Sequence, residues 1–415
     1  MINLIEYGSE YLINKDLYTE EDRIYLSSLQ KNDHYRFEIR ECKEGLYFKP
    51  LNYVGSIKLS KERVNIYPRF DNGFENLLYM ILFIKDIKFD IYKNILRVNS
   101  GLDNLYEYIV IMFIEEVKRI IDSGVSKEYV RINDNINVIK GRVDFNKHLA
   151  KNYFRGDKIY CNYDELESNI LENQVILRAI KEAGRITLKS KVRRELYRYE
   201  EIFEKLCNEY KGNKMPNISY NRLNSYYQSV HYFAKIIIEE IGIDDLYKEG
   251  CSDSRYCILI DMNHLFEAFV SKLCFKYFHK THIVKSQFKI RNAILTKDEK
   301  RYRDIIPDIV LKDKRTDEYI IIDTKNKNYG SYNVKNEDIY QVAFYGMYFS
   351  DIFDTNVKLA IVYPKYEEKD FSEKEVIINT LNKSKKTIEI DLLPIDINEC
   401  LDKLKENNKT NILIN

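Results

Sequence analysis

Tryptophan is absent from the 415 residues, proline occurs only 6 times and glycine 14 times. No Pro/Gly-rich linker, internal repeat or low-complexity tract interrupts the chain. The missing tryptophan, set against 35 tyrosines and many Lys, Ile and Asn residues, reads as codon bias of an AT-rich genome and carries no function. An excess of either charge is missing too, with 66 basic against 65 acidic side chains. Any nucleic-acid contact must therefore come from a local patch. The 7 cysteines (42, 161, 207, 251, 257, 274 and 400) are an odd set without any C-x-x-C. That pattern argues against a disulfide framework or zinc site and for reduced thiols. The longest apolar run, Leu77 to Ile84, is well short of the roughly 20 residues of a membrane span. The N-terminus MINLIEYGSE lacks a basic region leading into an apolar one. A cytoplasmic protein without a membrane partner is the expectation.

What is present fits a soluble globular chain of two or three domains, at about 100 to 200 residues each. Residues 1–100 read as β-rich: Val54 to Tyr67 alternates apolar and polar residues about a charged turn, the period of a hairpin. From Phe74 to Ile121 the spacing becomes helical, with Ile109, Met112, Phe113, Val117 and Ile120 on one stripe and Gly124 placed to end it. A helical middle (101–248) continues through Ser168 to Ile186, a basic stretch from Lys189 to Tyr199, and Asn224 to Ile241 stopped by Gly242. The basic stretch has the charge and tyrosines to track a phosphate backbone, but such runs are usually a solvated helix face. The loop EGCSDSRY, Glu249 to Tyr256, is the best boundary. Beyond it, 249–415 reads as a helix (Asp261 to Tyr277), strands at His282 to Arg291, Ile305 to Leu311 and Tyr319 to Asp323, a helix (Glu337 to Phe349) and a buried strand (Val357 to Tyr363). The fold class is α+β multidomain, closing on a C-terminal α/β region with a central mixed sheet.

One hairpin in that region carries charges it does not need for folding. In IPDIVLKDKRTDEYIIIDTK, Ile320 to Ile322 form a buried strand whose period of two places Asp323 and Lys325 on one face. A turn near Lys314 to Asp317 sets Asp308 about opposite Asp323. Two close carboxylates repel unless a divalent cation keeps both ionised, and oxygen ligands of this kind suit Mg²⁺. The lysine can then position a water or stabilise charge on a phosphorane-like transition state. The bland alternative is an exposed ion pair worth about 0 to 1 kcal/mol. Two features weigh against it. Glu267, in NHLFEAFV, lies among apolar neighbours where a carboxylate needs a partner. Gln341 and Tyr345, four apart, share the helix face that follows the Asp-Thr-Lys strand. His279 and His282, in HKTH, lack further ligands at suitable spacing and read as helix-end residues.

The series Glu267, Pro307-Asp308, Asp323-Thr324-Lys325 and Gln341-x-x-x-Tyr345, on α-β-β-β-α, resembles the PD-(D/E)xK nuclease superfamily with the Gln-x-x-x-Tyr element of its RecB-like branch. More closely, the chain resembles the McrC family of McrBC modification-dependent restriction systems. Looser matches in GSIKLSKERVNIYPRF, IKGRVDFNKHLAKN, ESNILENQVILRAI and YNRLNSYYQSVHYFAKII extend the likeness over most of 50–365. The resemblance implies a PD-(D/E)xK endonuclease-like C-terminal domain that cuts double-stranded DNA with Mg²⁺. Asp308, Asp323 and Glu267 would be metal ligands, Lys325 the water-positioning or charge-stabilising residue, Glu267 an auxiliary acid, and Gln341 and Tyr345 orienting residues.

The resemblance also implies a partner, a hexameric McrB-type AAA+ GTPase. That partner would read methylated cytosine and translocate, and its GTP hydrolysis would be stimulated by this chain, whose N-terminal part would dock in the ring's pore. No G-x-x-x-x-G-K-[ST] occurs, so the chain itself should not bind GTP by a P-loop. Arg142, in KGRVDF, is a candidate for contact with the partner's nucleotide site, with a capping or core-rim salt bridge as the plainer account. Two other functions stay open: a non-catalytic assembly factor and GTPase activator, and an autonomous RecB-like repair nuclease.

Overall fold

A computed structural model describes residues 1–30, 35–87, 92, 104–154, 156–187, 189–239, 257–329, 334–355, 357–366, 375–378 and 387–406. The chain divides into two units, Met1–Asn104 with Cys257–Asn415, and Leu105–Tyr256. Segments expected as a first and a third region therefore belong to one body. A single strand accounts for part of this: Cys257–Asp261 pairs antiparallel with Tyr53–Lys58. It completes a four-stranded sheet with Ile2–Ile5 and Arg63–Tyr67. Tyr53–Lys58 and Arg63–Tyr67 form the expected hairpin, but nearly all their residues are buried, so the alternation in the sequence does not mark a solvent face. The polar ones pair with each other: Ser56 Oγ donates to Asn65 Oδ1 at 2.9 Å. Gly55 has φ 144°, and a Cβ there would stand 1.9 Å from the Ile258 carbonyl oxygen. Only glycine admits the incoming strand.

Leu105–Tyr256 is less helical than expected. Helices Leu105–Ser123, Leu171–Ile186, Ser190–Glu204 and Gln228–Glu239 accompany a three-stranded sheet of Glu128–Ile136, Arg142–Val143 and Ile159–Glu167. Gly124 ends the first helix at φ 92°. The basic stretch is a helix that buries Val192, Leu196 and Phe203, and Lys191, Arg194 and Arg198 are exposed. It is a solvated face. A buried polar network joins two of the motif-bearing segments: Tyr227 Oη donates to Asn173 Oδ1 at 2.8 Å, and His231 Nε2 lies 3.0 Å from the Glu172 carbonyl oxygen. Burial holds the His231 imidazole below its ordinary value. Ile241, Gly242 and the loop Glu249 to Tyr256 lie outside the described residues.

The part of the first unit that follows Asp261 builds a six-stranded mixed sheet. Helix α1 (Met262–Phe278) precedes β1 (His282–Ser286), β2 (Ile309–Asp313) and β3 (Tyr319–Thr324). Helix α2 (Asn336–Phe353) then leads to β4 (Val357–Pro364), β5 (Glu375–Ile378) and β6 (Ile388–Ile395). The sheet order is β1-β2-β3-β4-β6-β5, with β3, β4 and β6 parallel and the other neighbours antiparallel. Two expected strands are corrected. The run His282 to Arg291 stops at Ser286, where Gln287 turns to φ 49°. The run Ile305 to Leu311 is split at Pro307, which has no N–H to donate. The residues between these breaks form a separate hairpin, Ile290–Leu295 with Arg301–Ile305.

Val310, Ile321, Leu359 and Ile361 of the sheet pack on Val342, Tyr345 and Phe349 of α2. The helix comes close at Gly346, where a Cβ would lie 2.6 Å from Leu359 Cδ1. The C-terminal 50 residues supply β5, β6 and the helix Ile397–Lys405. The architecture is mixed α+β, as the element pattern predicts.

Candidate functional site

Register brings the two aspartates together. In β2 and β3, Ile309 pairs with Ile322 and Val310 with Ile321, so the next step outward sets Asp308 across from Asp323. Period two places Asp323 and Lys325 on the same face as Ile321, which packs in the α2 core. The strand's pairing persists one step past its end, where Lys325 N–H donates to the Val362 carbonyl at 2.9 Å. Asp308, half-buried, is fixed by its neighbour in the other strand. Thr324 donates to Asp308 Oδ2 from both its amide and its hydroxyl, each at 2.8 Å.

Asp323 is fully buried. Lys325 Nζ stands 2.7 Å from its Oδ2, and beyond that ammonium neither oxygen has a hydrogen-bond donor. Burial, then the charge of Asp308, push the Asp323 carboxyl up to about 7. For Lys325, burial pulls the ammonium down, but the charges of Asp323 and Asp308 outweigh it and raise the group. Two carboxylates thus share one cation. The pair is short of positive charge, and Asp323 has open lone pairs facing it.

Helix α2 supplies a hydrogen-bonded arm to the lysine. Lys325 Nζ donates to Gln341 Oε1 at 3.1 Å, and Gln341 Nε2 donates to Tyr345 Oη at 2.8 Å. Tyr345 Oη reaches the Ile306 carbonyl at 3.5 Å, a long contact near the Asp308 turn. The i,i+4 spacing that pairs Gln341 with Tyr345 on one face thus serves the lysine specifically.

Glu267 stands apart from this group. It lies on α1, accepts a hydrogen bond from Gln287 Nε2, and its carboxyl is raised by burial and by the charge of Asp308. Among the described residues no three His, Cys, Asp or Glu side chains are placed to hold one metal ion. The expected trio of Glu267, Asp308 and Asp323 is therefore not gathered into a three-carboxylate cage, and the close pair is Asp308 with Asp323. Arg142 is exposed on its short strand. His279 caps α1, its Nδ1 2.9 Å from the Phe275 carbonyl oxygen, whereas His282 opens β1 instead of ending the helix.

Sequence reasoning missed several contributors. Thr324, inside the Asp-Thr-Lys motif, was visible but needed the cross-strand register to show what its hydroxyl meets. Asp338, buried on α2, takes Lys327 Nζ at 2.7 and 2.8 Å and the Tyr329 hydroxyl, ordering the chain after Lys325. Arg69 donates to the Asn326 carbonyl at 3.3 Å, a contact no local pattern announces.

Comparison with known proteins bears on the fold and the family. A chain in the Thermococcus gammatolerans assembly of McrB AAA+ hexamers with bound McrC matches with a TM-score of 0.72 at 16% identity, covering 99% of this chain and 100% of that one. A chain in the cryo-EM structure of the Thermococcus gammatolerans McrBC complex matches with a TM-score of 0.52 at 17% identity, over 66% of this chain and 86% of that one. At such identities the likeness is one of fold. A search of curated proteins finds no match. The family model of the McrBC 5-methylcytosine restriction system component matches residues 48–386, which enclose Asp308, Asp323, Lys325, Gln341 and Tyr345. With well over half its length matched, the chain belongs to the McrBC 5-methylcytosine restriction system component family.

Proposed function

We propose that this chain is the nuclease subunit of a McrBC-type restriction system, a Mg²⁺-dependent DNA endonuclease that works with a McrB-type AAA+ GTPase and stimulates its GTP hydrolysis. The single observation that carries the reading is the buried Asp323, with no donor but Lys325 and with Asp308 beside it. The order α1-β1-β2-β3-α2-β4 around that pair fits a PD-(D/E)xK endonuclease-like domain. The partner rests on the family and on the McrB-bound assembly whose chain shares this fold.

The donor set fits a hard divalent cation: two carboxylates, one of them meeting no donor but Lys325, and no thiol or imidazole. Asp308 and Asp323 would hold Mg²⁺, which when bound neutralises the pair and polarises a phosphate oxygen. Lys325, kept charged by the aspartates, would position the attacking water or stabilise negative charge growing on the phosphate. Gln341 and Tyr345 restrain that ammonium, and Thr324 holds Asp308 in its rotamer. Glu267 is close enough to feel Asp308 and would serve as an auxiliary acid at the rim.

The test is cleavage of methylated and unmethylated plasmid with Mg²⁺, with and without the AAA+ partner and GTP, using Asp323→Ala as control. Cutting that needs the partner, GTP and Asp323 is the expected result. Cutting by the chain alone would move it to the autonomous RecB-like nucleases. Faster GTP hydrolysis without strand breaks under any divalent metal would leave a non-catalytic assembly factor and GTPase activator.

A further inference from the structure

The hairpin Ile290–Leu295 with Arg301–Ile305 is unexplained by the chemistry above, yet it is joined directly to it. Its entry and exit strands are clamped beside the first aspartate: Gln287 N–H donates to the Asp308 carbonyl at 2.7 Å and Phe288 N–H to the Pro307 carbonyl at 3.2 Å. Phe288, Ile290 and Ala293 pack at its base against the α2 core, with Ile305 buried. Past that base every residue from Leu295 to Arg303 is exposed.

The charges of the hairpin are lopsided. Asp304 is already matched, by Lys289 at 3.2 Å and by Arg301. Arg291, Lys297, Lys300 and Arg303 have no ion-pair partner among the described residues, and the tip carries only Asp298 and Glu299 against them. Arg303 also lies over the exposed Tyr302 ring, 6.0 Å from its centroid. The ribbon is stiffened rather than floppy. Thr296 N–H donates to the Lys300 carbonyl at 2.8 Å, Glu299 N–H to the Thr296 carbonyl at 2.9 Å, and Asn292 N–H to Asp304 Oδ1 at 3.3 Å.

We propose that this hairpin is the arm that holds duplex DNA at the candidate active site. Resting on the nuclease reading, the inference adds where the duplex is gripped and by which residues. Strands of six and five residues at about 3.4 Å each reach roughly 17 to 20 Å, and a two-stranded ribbon fits a major groove about 12 Å wide. Unmatched arginine and lysine at its outer end meet phosphates, a contact that positions the duplex without reading its sequence. Because the base is bonded to Asp308 and Pro307, a duplex on the arm has its backbone delivered toward the carboxylate pair. A chain with net charge +1 thereby acquires the local basic surface that its composition denies it overall.

The probe is a fluorescein-labelled 30-base-pair duplex of mixed sequence, titrated with the full-length chain carrying Asp323→Asn to prevent cleavage. Fluorescence anisotropy is followed from low to moderate salt. The Arg291→Ala, Lys297→Ala, Lys300→Ala, Arg303→Ala combination should weaken binding about ten- to a hundredfold for every sequence and lower the log–log salt slope by about 3 to 4. Its melting temperature should be unchanged, since these side chains are exposed. Unchanged affinity and slope in that variant overturn the proposal. So does loss of binding to the AAA+ partner with DNA affinity intact, which would make the arm a protein contact. If the parent chain binds no duplex at all, the proposal fails, and plasmid cleavage by the wild-type chain with partner and GTP separates that failure from failure of the nuclease reading.

Discussion

At neutral pH the Asp323 carboxyl sits near its own midpoint, because burial and the neighbouring Asp308 raise it to about 7. An unfolded aspartate ionises near 3.8, so the folded chain binds this proton more tightly than the unfolded one. Its contribution to stability is complete below about pH 4 and is lost as pH rises toward 7. Asp323→Asn, which keeps the shape and removes the charge, should therefore raise metal-free stability at pH 8 by on the order of 1 to 4 kcal/mol, with no gain at pH 4. Urea unfolding of both chains at the two pH values measures this, and equal stabilities at pH 8 would refute it. The same variant should lose about a thousandfold or more of Mg²⁺-dependent cleavage. The two outcomes together would be the trade expected at an active site.

At the scale of elements, α2 acts on the site through one short arm, so its contribution separates from folding. Gln341 is exposed, so truncating it empties no core, and Tyr345 is buried in the core, so only its hydroxyl is removed. Gln341→Ala and Tyr345→Phe should each slow cleavage about 10- to 100-fold, as supporting residues around a metal or charged site do, while shifting the melting temperature little. Kinetics in saturating Mg²⁺ checks the first part and thermal unfolding the second. Arg69 is the reverse case. Its guanidinium stacks 4.1 Å from the Tyr366 ring centroid and 4.9 Å from that of Tyr7, and it lies 3.4 Å from the buried Glu6. Arg69→Ala leaves that carboxyl without its cation and should destabilise the fold by about 3 kcal/mol, with Arg69→Lys recovering the charge but not the stacking. Denaturant titration of the three chains ranks them, and an Arg69→Ala chain as stable as wild type would sink the argument.

These elements also show what a sequence can carry. The Asp308, Asp323 and Lys325 group was legible because strand period and hairpin register are local rules, and Gln341 with Tyr345 because helix spacing is another. The pairing of Cys257–Asp261 with Tyr53–Lys58 was not, since a strand contact across some two hundred residues leaves no periodic trace. The division of one apparent strand at Gln287 was hidden for a different reason. A left-handed turn at a glutamine goes against local preference, and it is held by the Asp308 backbone rather than by its neighbours. Glu267 shows the limit from the other side: its apolar surroundings predicted a need for a partner, and the one that meets it, Gln287, lies on a turn that local spacing does not announce.

On the proposed function, the decisive question for the molecule as a whole is whether cutting and partner activation can be separated. The carboxylate pair, the lysine and its helical arm all belong to the unit formed by Met1–Asn104 and Cys257–Asn415, while Leu105–Tyr256 has its own core and its own buried hydrogen-bond network. Substituting a buried aspartate with asparagine removes a charge inside the first unit and alters no residue of the second. Activation of the AAA+ partner, if it works through surfaces remote from Asp323, should therefore survive the loss of cleavage. The Asp323→Asn chain added to the cognate GTPase is expected to accelerate GTP hydrolysis to within about twofold of the wild-type chain, the small residue of coupling usual between distant independent sites. Strand breaks should fall below detection in the same tube. A parallel collapse of GTP turnover would mean that the charge state of the carboxylate pair is felt by the partner, and that nuclease and activator are one coupled device.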